Sequence, residues 1–326
     1  MGRRKRATGC AAAAALLACL GAGTLAQDFP THVIQLVNPY AAGGPADLLA
    51  RTIASGMTSR LGRQVVVVNK VGASTAIGAN FVAHAAPDGY TLLIAGATTH
   101  AIMPVLVPKV GYEGIADFAP VSMVANVPNV LVIRASLPVH SIQELVAYAK
   151  ANPGKLNFAS VGVGSQPHLA GELFKQMTGV DIVHVPYTGA APATTDLLAG
   201  TMDLGFLNAP QLLPHIQSGA LRALAVTTLK RAAQLPDVPT LDELGLKGFD
   251  IGTWYGISAP VRTPQPVVAK LADTIAQVLR TLAMADKITS QGAEIFLLGP
   301  DAFATYLRKD AARMAQVIKT AHIHIE

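Results

Sequence analysis

Short apolar runs alternate with helical stripes along most of this chain. Near the start, three runs have the β-branched or aromatic composition of buried strands: Val33–Val37, Val65–Val68 and Tyr90–Ile94. Between the first two runs, apolar residues recur every four positions and form one stripe of a helix that ends at Gly62: Leu49, Ile53, Met57 and Leu61. This alternation predicts an α/β fold with parallel strands and helices on both faces of the sheet.

The second half of the chain continues the alternation. A capping box at Ser141–Glu144 predicts one helix start, and further helices are predicted to begin near Ser165, Ala190 and Pro210. Strands are predicted at Leu156–Ser160, Asp181–Tyr187, Met202–Leu207 and Leu221–Thr227. The last part of the chain predicts a strand, a helix, a short strand and a helix, in that order: Trp254–Pro260, Pro266–Leu282, Glu294–Leu298 and Pro300–Thr320.

No low-complexity linker divides the chain, so a two-domain organisation requires crossings inside ordered segments. The predicted crossings are Val124–Val130, an apolar run that Pro128 interrupts, and Phe249–Pro260. Domain 1 is then discontinuous, made of 27–125 and 251–326, and domain 2 is 126–250. The expected architecture is two doubly wound α/β domains joined by a hinge, with a cleft between them.

Residues 1–26 have the pattern of a secretory signal peptide. Arg3–Arg6 form a basic head, Ala7–Ala26 carries no charge, and the small residues Thr24–Ala26 offer a cleavage site. We therefore predict an exported mature chain that begins at Gln27. Two alternatives stay open: a membrane anchor, because the uncharged stretch is long enough to span, and a lipoprotein anchored at Cys19.

The leader also accounts for most of the net charge and for both cysteines. The formal net charge is +5, and Arg3–Arg6 supply four of those charges, so the mature chain is near +1. A near-neutral body without basic tracts does not support nucleic-acid binding. Because Cys10 and Cys19 both lie in the leader, we predict no disulfide, no cysteine-based catalysis and no cysteine metal site in the mature chain.

Gly43–Asp47 follows the first predicted strand and is the most informative local motif. Its two glycines allow close approach of a ligand to the backbone, and Pro45 suits the first position of a helix. A helix start presents free N–H groups and the positive end of the helix dipole, which favours an anion. Asp47 is expected to accept hydrogen bonds from N–H groups there, with an amino group of the ligand as its alternative partner.

Five loops at the carboxyl ends of predicted strands could line a ligand site: Asn38–Asp47, Gly96–Pro104, Ser160–His168, Pro186–Pro192 and Asn208–Gln211. None of them contains a lysine or an arginine. An acidic ligand would therefore be met by backbone N–H groups, hydroxyls, helix dipoles and bound water. Each dipole end contributes about 0.3–1 kcal/mol when exposed and up to ~2 kcal/mol when partly buried, so several together can hold a small carboxylate.

Enzyme motifs are incomplete in the loop that most resembles one. Gly162–Pro167 begins like a dinucleotide-binding loop, but Pro167 stands where the third glycine would be. The same loop lacks the glycine after serine that a nucleophile elbow requires. A secreted hydrolase that uses Ser165 and His168 is the alternative from another functional class, although no acid can be placed beside the pair.

Several other polar or aromatic residues are assigned structural roles. His168 is expected to be a buried polar support, and Trp254 is expected in the core or at the hinge, with a wall of the cleft as its alternative position. His322, His324 and Glu326 alternate as metal ligands can, but a fraying terminus is expected there and no metal is predicted.

A co-linear series of motifs extends from about Phe29 to the C-terminus: PYAAGGPAD at 39–47, APDGYTLL at 86–93, THAI at 99–102, FAPVSMVA at 118–125, PNVLVI at 128–133, PGKLNFAS at 153–160, HLAGELFK at 168–175, VDIVHVPYTGAAPATTDLLAG at 180–200, LRALAVTT at 221–228 and LPDVPTLDELGL at 235–246. In these motifs the chain resembles the Bug family (Bordetella uptake gene receptors), the periplasmic solute-binding components of tripartite tricarboxylate transporters.

The resemblance implies a fold and a function. The fold is that of a type II-like periplasmic binding protein, a receptor that closes about a hinge over one small acid. The ligand could be a di- or tricarboxylate, an aromatic carboxylate or an acidic amino acid. The implied partners are membrane transporter subunits, with a sensor-input role as the alternative. No enzyme activity, cofactor or nucleic-acid partner is implied, and a monomer in the periplasm is expected.

The resemblance also implies which loops hold the ligand. In the family, the glycine loop meets a ligand carboxylate through backbone groups and ordered waters. Carried over to the matching loops, that role falls on Ala42, Gly43, Gly44, Thr98, Thr99, Ser160, Ser165, Thr188, Gly189 and Asn208. Four residues of the same loops complete the expected ligand-binding set: Tyr40, Asp47, Gly164 and Gln166.

The chain departs from the family pattern at several of these loops. Thr188 replaces a usual lysine, Leu207 replaces a commonly polar residue, Ser74–Ala76 replaces a glycine-rich turn, and Ser165–Pro167 replaces a stretch richer in hydroxyls. These departures leave the identity of the ligand open.

Overall fold

The computed structural model describes residues 29–290 and 292–323, which form two β-sheets flanked by helices. The predicted signal peptide with Cys10 and Cys19, and the residues His324 and Glu326, lie outside the described residues. Strands β1 to β11 are, in chain order, Ile34–Asn38, Val65–Asn69, Thr91–Ala95, Phe118–Val127, Asn129–Arg134, Asn157–Ser160, Val183–Pro186, Leu204–Asn208, Leu221–Val226, Thr253–Pro260 and Glu294–Leu298.

Ten α-helices are found in the described part of the chain. Helices α1 to α10 are, in chain order, Pro45–Leu61, Ala76–Ala83, Met103–Leu106, Ile142–Ala151, Gln166–Thr178, Ala190–Ala199, Ala209–Gln217, Gln265–Leu279, Leu282–Ser290 and Pro300–Thr320. A 3-10 turn at Ala73–Thr75 precedes α2, and a π-helical turn at Thr98–Ile102 precedes α3. None of the helices in this part is long and apolar enough to cross a membrane.

The predicted alternation of strands and helices gives two mixed sheets. The first sheet has the strand order β11-β4-β10-β3-β1-β2, and the second has the order β7-β6-β8-β5-β9. The expectation of wholly parallel sheets is wrong, because β10 runs antiparallel to β3 and β4, and β5 runs antiparallel to β8 and β9. Parallel neighbours need a crossover connection within one sheet, usually through a helix. The chain instead reaches β5 and β10 from the other sheet, so these two strands have no such connection before them.

The chain passes between the sheets twice. It leaves the first sheet at the end of β4, reaches β5 across Pro128, and returns between β9 and β10. The sequence pattern predicts these crossings at Val124–Val130 and Phe249–Pro260, but it does not predict β4 or β5 as strands. The two-sheet α/β architecture is confirmed, and the exact domain limits 27–125, 126–250 and 251–326 stay a prediction.

The predicted helix Pro266–Leu282 is in fact two helices. α8 ends at Leu279, where Arg280 is the C-cap and its N–H donates to the carbonyl of Ala276 at 3.1 Å. α9 then begins at Leu282 and continues to Ser290. The amphipathic stripe spans the break, which explains why periodicity alone did not show it.

The C-terminal helix α10 joins the cores beside the two sheets. Its buried residues Phe303, Leu307 and Met314 belong to one apolar cluster with Ile102 of the first lobe and Phe158 of the second. Here and below, a lobe is one sheet with the helices that flank it. Trp254 lies in the same cluster, 1% exposed, so it belongs to the core and not to a wall of the cleft. α10 therefore fixes one side of the junction between the lobes.

Candidate functional site

A cleft lies between the two lobes, at loops that follow strands of both sheets. It has two compartments, a larger one of about 380 Å³ and a smaller one of about 120 Å³. Four residues line both compartments: Tyr40 and Tyr255 from the first lobe, and Val161 and Asn208 from the second. The compartments are therefore two parts of one continuous site.

Two helix starts from opposite lobes face the larger compartment. Its walls include the loop before α1, residues 40–46, and the loop before α6, residues 188–192. The N-cap residues Gly44 and Gly189 have no side-chain cap. The first-turn N–H groups of a helix have no acceptor within the helix, so Ala46 on one wall and Ala191 on the other present such donors at the same compartment.

Asp47 lies behind the glycine loop and shapes it. It is 3% exposed, and its Oδ2 accepts hydrogen bonds from the Gly43 N–H at 2.9 Å and from Arg51 Nε at 3.0 Å. Burial raises the pKa of Asp47, but these bonds outweigh burial and leave that pKa below its usual value. Asp47 is therefore ionised, occupies the Gly43 N–H and lines neither compartment.

The smaller compartment is built mainly from hydroxyl and amide side chains. It is lined by Ser74, Thr75 and Thr98 from the first lobe and by Ser165 and Gln166 from the second. Ser165 caps α5, since its Oγ accepts the His168 N–H at 3.2 Å. The Gln166 side chain donates from Nε2 to the carbonyl of Gly252.

Three of the expected ligand-binding residues lie behind the cleft surface, with their polar groups already used. Thr99 is fully buried, and its Oγ1 bonds to the backbone N–H and carbonyl of Gly96. Ser160 is also fully buried, and its Oγ lies 2.7 Å from His184 Nε2. The Gly164 N–H donates to His168 Nδ1 at 3.2 Å. Like Asp47, these residues support the loops that line the cleft.

The structure thus brings together at the cleft surface most of the residues that the sequence indicated: Tyr40, Ala42, Gly43, Gly44, Thr98, Ser165, Gln166, Thr188, Gly189 and Asn208. Sequence reasoning missed Tyr255, which reaches the cleft through the pairing of β10 with β4, a contact that no local pattern reveals. It also did not select Ser74 and Thr75, although their departure from the family pattern was a usable signal.

A hydrogen-bonded triangle holds the floor of the cleft. Asn208 Nδ2 donates to Asn129 Oδ1 at 2.7 Å and to Thr253 Oγ1 at 3.0 Å, and Thr253 Oγ1 donates to Asn129 Oδ1 at 3.1 Å. Asn129 begins β5 and Thr253 begins β10, the two strands that enter their sheets from the other lobe. A residue at the cleft surface is thereby tied to both passages of the chain between the lobes.

The proposed nucleophile pair is not assembled. Ser165 Oγ donates to the carbonyl of Gly162 at 2.7 Å and accepts the backbone N–H of His168, so it does not bond the imidazole. The His168 ring stacks on that of His184 with centroids 4.0 Å apart. Burial, with a smaller contribution from His184, lowers the pKa of His168 to about 3. The prediction that His168 is a buried support is confirmed, because it is 5% exposed.

Charge is excluded from the lining of both compartments. Among residues 29–290 and 292–323, no aspartate, glutamate, lysine, arginine or histidine lines either one. Nor does this part of the chain contain a group of three or more histidine, cysteine or acidic residues placed to hold a metal ion. The site offers backbone N–H groups, hydroxyls, amides and helix dipoles.

Two lobes that enclose a cleft without charged side chains define the class of two-domain solute-binding receptors. Residues 49–323 match the family model described as "Tripartite tricarboxylate transporter family receptor". The chain belongs to this family, whose members are periplasmic receptors. It is 37% identical to Protein BugT of Bordetella pertussis over 301 residues, which cover 92% of each chain.

Solved structures support the type II-like fold. The protein of R. palustris called Rpa4515, solved with adipate, has a TM-score of 0.84 at 38% identity, over 91% of this chain and 99% of that one. MatC (Rpa3494) of Rhodopseudomonas palustris, solved with bound malate, has a TM-score of 0.81 at 33% identity, over 89% of this chain and all of that one. The predicted fold class is therefore confirmed.

Proposed function

We propose that this chain is a receptor that captures one small organic acid in its cleft, without turnover, and delivers it to the membrane subunits of a tripartite transporter. Residues 1–26 direct its export to the periplasm, where it works as a monomer. The ligand contacts are the residues that line the two compartments, and Asp47, Thr99, Ser160 and Gly164 hold those residues in place. A role as a sensor input would use the same binding step.

The observation that carries this proposal is the convergence of two helix starts on one uncharged compartment. The starts of α1 and α6 lie on opposite walls, at Pro45 and Ala190. Each can stabilise an anion by up to ~2 kcal/mol where it is partly buried. Together they favour a carboxylate over a neutral group of the same shape by up to about 4 kcal/mol. That preference corresponds to roughly a thousandfold in affinity.

Contacts across the cleft explain how binding favours closure. Ser74 Oγ of the first lobe donates to the carbonyl of Val163 in the second at 3.2 Å. An acid held by both lobes adds further contacts that exist only when the lobes are close together. Because a ligand shifts a conformational equilibrium by its differential affinity for the two states, the acid stabilises the closed form that the transporter recognises.

Calorimetric titration of the purified protein tests the proposal. Adipate, succinate, malate and citrate are the probes, and adipamide is the uncharged control with the same chain length as adipate. We expect one acid to bind per chain, with adipamide at least about 100-fold weaker than adipate. Analysis of the mixture after overnight incubation should recover the acid unchanged. Equal affinity for adipamide, or the appearance of a product, would refute the proposal.

A further inference from the structure

The turn before α2 has an unusual backbone. Ala73, Ser74 and Thr75 have φ angles of 45°, 47° and 82°, all in the left-handed region that residues other than glycine rarely adopt. Three such residues in succession are strained, and strain of this kind persists only where the surrounding structure imposes it. The turn carries Ser74 and Thr75 to the wall of the smaller compartment.

Thr75 has a hydroxyl without a partner. The residue is 6% exposed, and its Oγ1 is buried with no hydrogen-bond partner in the described part of the chain. Buried polar atoms are nearly always hydrogen-bonded, so an exception needs an explanation. Its neighbour Ser74 is already bonded to Val163 across the cleft. This oxygen is sealed from solvent in the present conformation, so a ligand in the smaller compartment reaches it once the Thr75 side chain turns about its Cα–Cβ bond, and that ligand would supply the missing partner.

The size of the smaller compartment limits what it can hold. Its 120 Å³ is room for about four water-sized groups, which is enough for a carboxylate group and much less than the 380 Å³ of the larger compartment. The starts of two helices lie at its walls, α2 behind Thr75 and α5 behind Ser165. Their dipoles favour a negative group, and no charged side chain of the described residues lines this compartment.

We propose that Thr75 is a specificity-determining residue that binds the second carboxylate of a diacid. This inference rests on the proposed function, in which the first carboxylate lies between the starts of α1 and α6 in the larger compartment. The carbon backbone of the diacid then passes the four residues that line both compartments, Tyr40, Val161, Asn208 and Tyr255. The receptor thereby selects diacids over monoacids of equal length, and the strained turn places the selecting hydroxyl.

The test removes the hydroxyl and keeps the shape, in the variant Thr75→Val. Wild type is first titrated with adipate, succinate and malate. The diacid that binds most tightly is then compared with the monoacid of the same carbon chain, which is hexanoate for adipate, butyrate for succinate and 2-hydroxybutyrate for malate. Hydrogen bonds to charged groups are the strong ones. Thr75→Val should therefore bind the diacid about tenfold or more weakly than wild type and bind the monoacid with unchanged affinity.

Thermal unfolding of the free protein gives a second readout. A merely structural threonine would lower the melting temperature when changed to valine, whereas loss of an unpartnered hydroxyl leaves it unchanged or raises it. Thr274→Val is the matched control, because Thr274 is 7% exposed, its Oγ1 donates to the carbonyl of Lys270 at 2.7 Å, and it lies outside the cleft. Its affinity for both acids should equal that of wild type.

The outcomes separate this inference from the proposed function. Unchanged diacid affinity in Thr75→Val, or an equal loss for diacid and monoacid, overturns the role of Thr75. Wild-type affinity that is the same for diacid and monoacid also overturns it, while leaving the receptor function intact. Failure of wild type to bind any of these diacids overturns the role of Thr75 in selecting diacids, and failure to bind citrate and the monoacid as well overturns the proposed function itself.

Discussion

Two regions at the junction of the lobes differ in how they handle charge. The cleft is lined by uncharged residues, whereas the lining of a second cavity of about 350 Å³, the hinge cavity, includes five charged residues. The hinge cavity surrounds both passages of the chain, at 126–128 and at 228–231 with 250–252, and includes Asp250, Glu294 and Arg313. Both regions are polar, but only one of them carries fixed charges.

Arg313 and Asp250 of the hinge cavity form an ion pair with each other, and Arg313 also pairs with Asp310 behind it. Arg313 donates to Asp250 Oδ2 at 2.5 Å and to Asp310 Oδ1 at 2.6 Å, and the other oxygen of Asp310 accepts Trp254 Nε1 at 2.8 Å. Ion pairs of this kind satisfy each other and leave little for a ligand. The comparison teaches that fixed charges stabilise the frame of this receptor, by which we mean the packed junction between the lobes around Asp250, Asp310 and Arg313. In the cleft, helix dipoles and backbone N–H groups balance the charge of the ligand instead.

The largest expected effect is on the frame. Asp310 is 3% exposed. Asp310→Ala removes one of the two carboxylates that pair with Arg313 and also removes the acceptor of Trp254 Nε1. Removing one partner of a buried pair should lower the free energy of unfolding by about 3 kcal/mol or more. Urea unfolding measures this free energy. The control is Lys247→Ala, which removes an exposed ion pair and should leave the urea midpoint unchanged. If Asp310→Ala loses no more free energy of unfolding than the Lys247→Ala control, these charges do not stabilise the frame.

The next effect is on the cleft. Gly189 and Gly299 both cap helices without a side-chain cap, and a Cβ at either position would meet no atom within 4 Å. Only Gly189 lines the cleft. Gly189→Val should weaken binding of adipate by about 100-fold, since the side chain blocks the start of α6, and Gly299→Val should not. Equal calorimetric affinities for the two variants would show that the start of α6 does not contact the ligand.

Acid should destabilise the fold through His100. Burial lowers the pKa of His100 to about 4, and His100 lies outside the cleft, 2.9 Å from Ser258 Oγ. Between pH 6.5 and about 4 the unfolded chain therefore binds a proton that the native state does not, so stability falls as the pH falls through that window. At pH 5 the loss due to His100 is about 2 kcal/mol.

The variant His100→Gln isolates this contribution. Urea unfolding at pH 7 and at pH 5 should show a smaller loss of stability in the variant than in wild type. Adipate affinity, measured where both proteins are fully folded, should be the same. An identical pH dependence of unfolding in the two proteins would rule out a neutral buried His100 as a source of acid sensitivity.

The smallest predicted effect concerns the support of the glycine loop. Asp47→Ala frees the Gly43 N–H and removes the partner of Arg51, so the loop should lose order and adipate should bind about tenfold more weakly. Arg51→Met removes the charge and the Nε–H donor of Arg51 but keeps Asp47, and it should change the affinity less than threefold because the Arg51 side chain is 55% exposed. Tighter binding by Asp47→Ala would mean that repulsion between Asp47 and the acid outweighs its support of the loop.

Local signals in the sequence predicted much of this fold. Pro45 begins α1, Gly62 ends it in the left-handed conformation with φ of 65°, and Ser141 caps α4 as its pattern indicated. The antiparallel insertion of β5 and β10 was not predictable in this way. It depends on which strands pair across long separations in the chain, and that pairing is decided by packing and not by any local pattern.

The candidate site shows the same division. The glycine loop and the start of α6 were found because Gly43, Gly44 and Gly189 are local turn signals, whereas Tyr255 arrives only through strand pairing. The structure also sharpens how the glycine loop can be tested. Gly43 has φ of 76°, so Gly43→Val would strain the backbone as well as block the ligand. Gly189→Val, at the start of α6, blocks the ligand without that backbone strain.

The most direct test of the central claim is a crystal structure of this protein with the tightest-binding acid. The account predicts that one carboxylate lies within hydrogen-bonding distance, directly or through one water, of first-turn N–H groups of both α1 and α6. It predicts no lysine or arginine nitrogen within 4 Å of that carboxylate, the limit used for an ion pair. A carboxylate held by a lysine or arginine side chain, or one bound by a single lobe, would contradict the account.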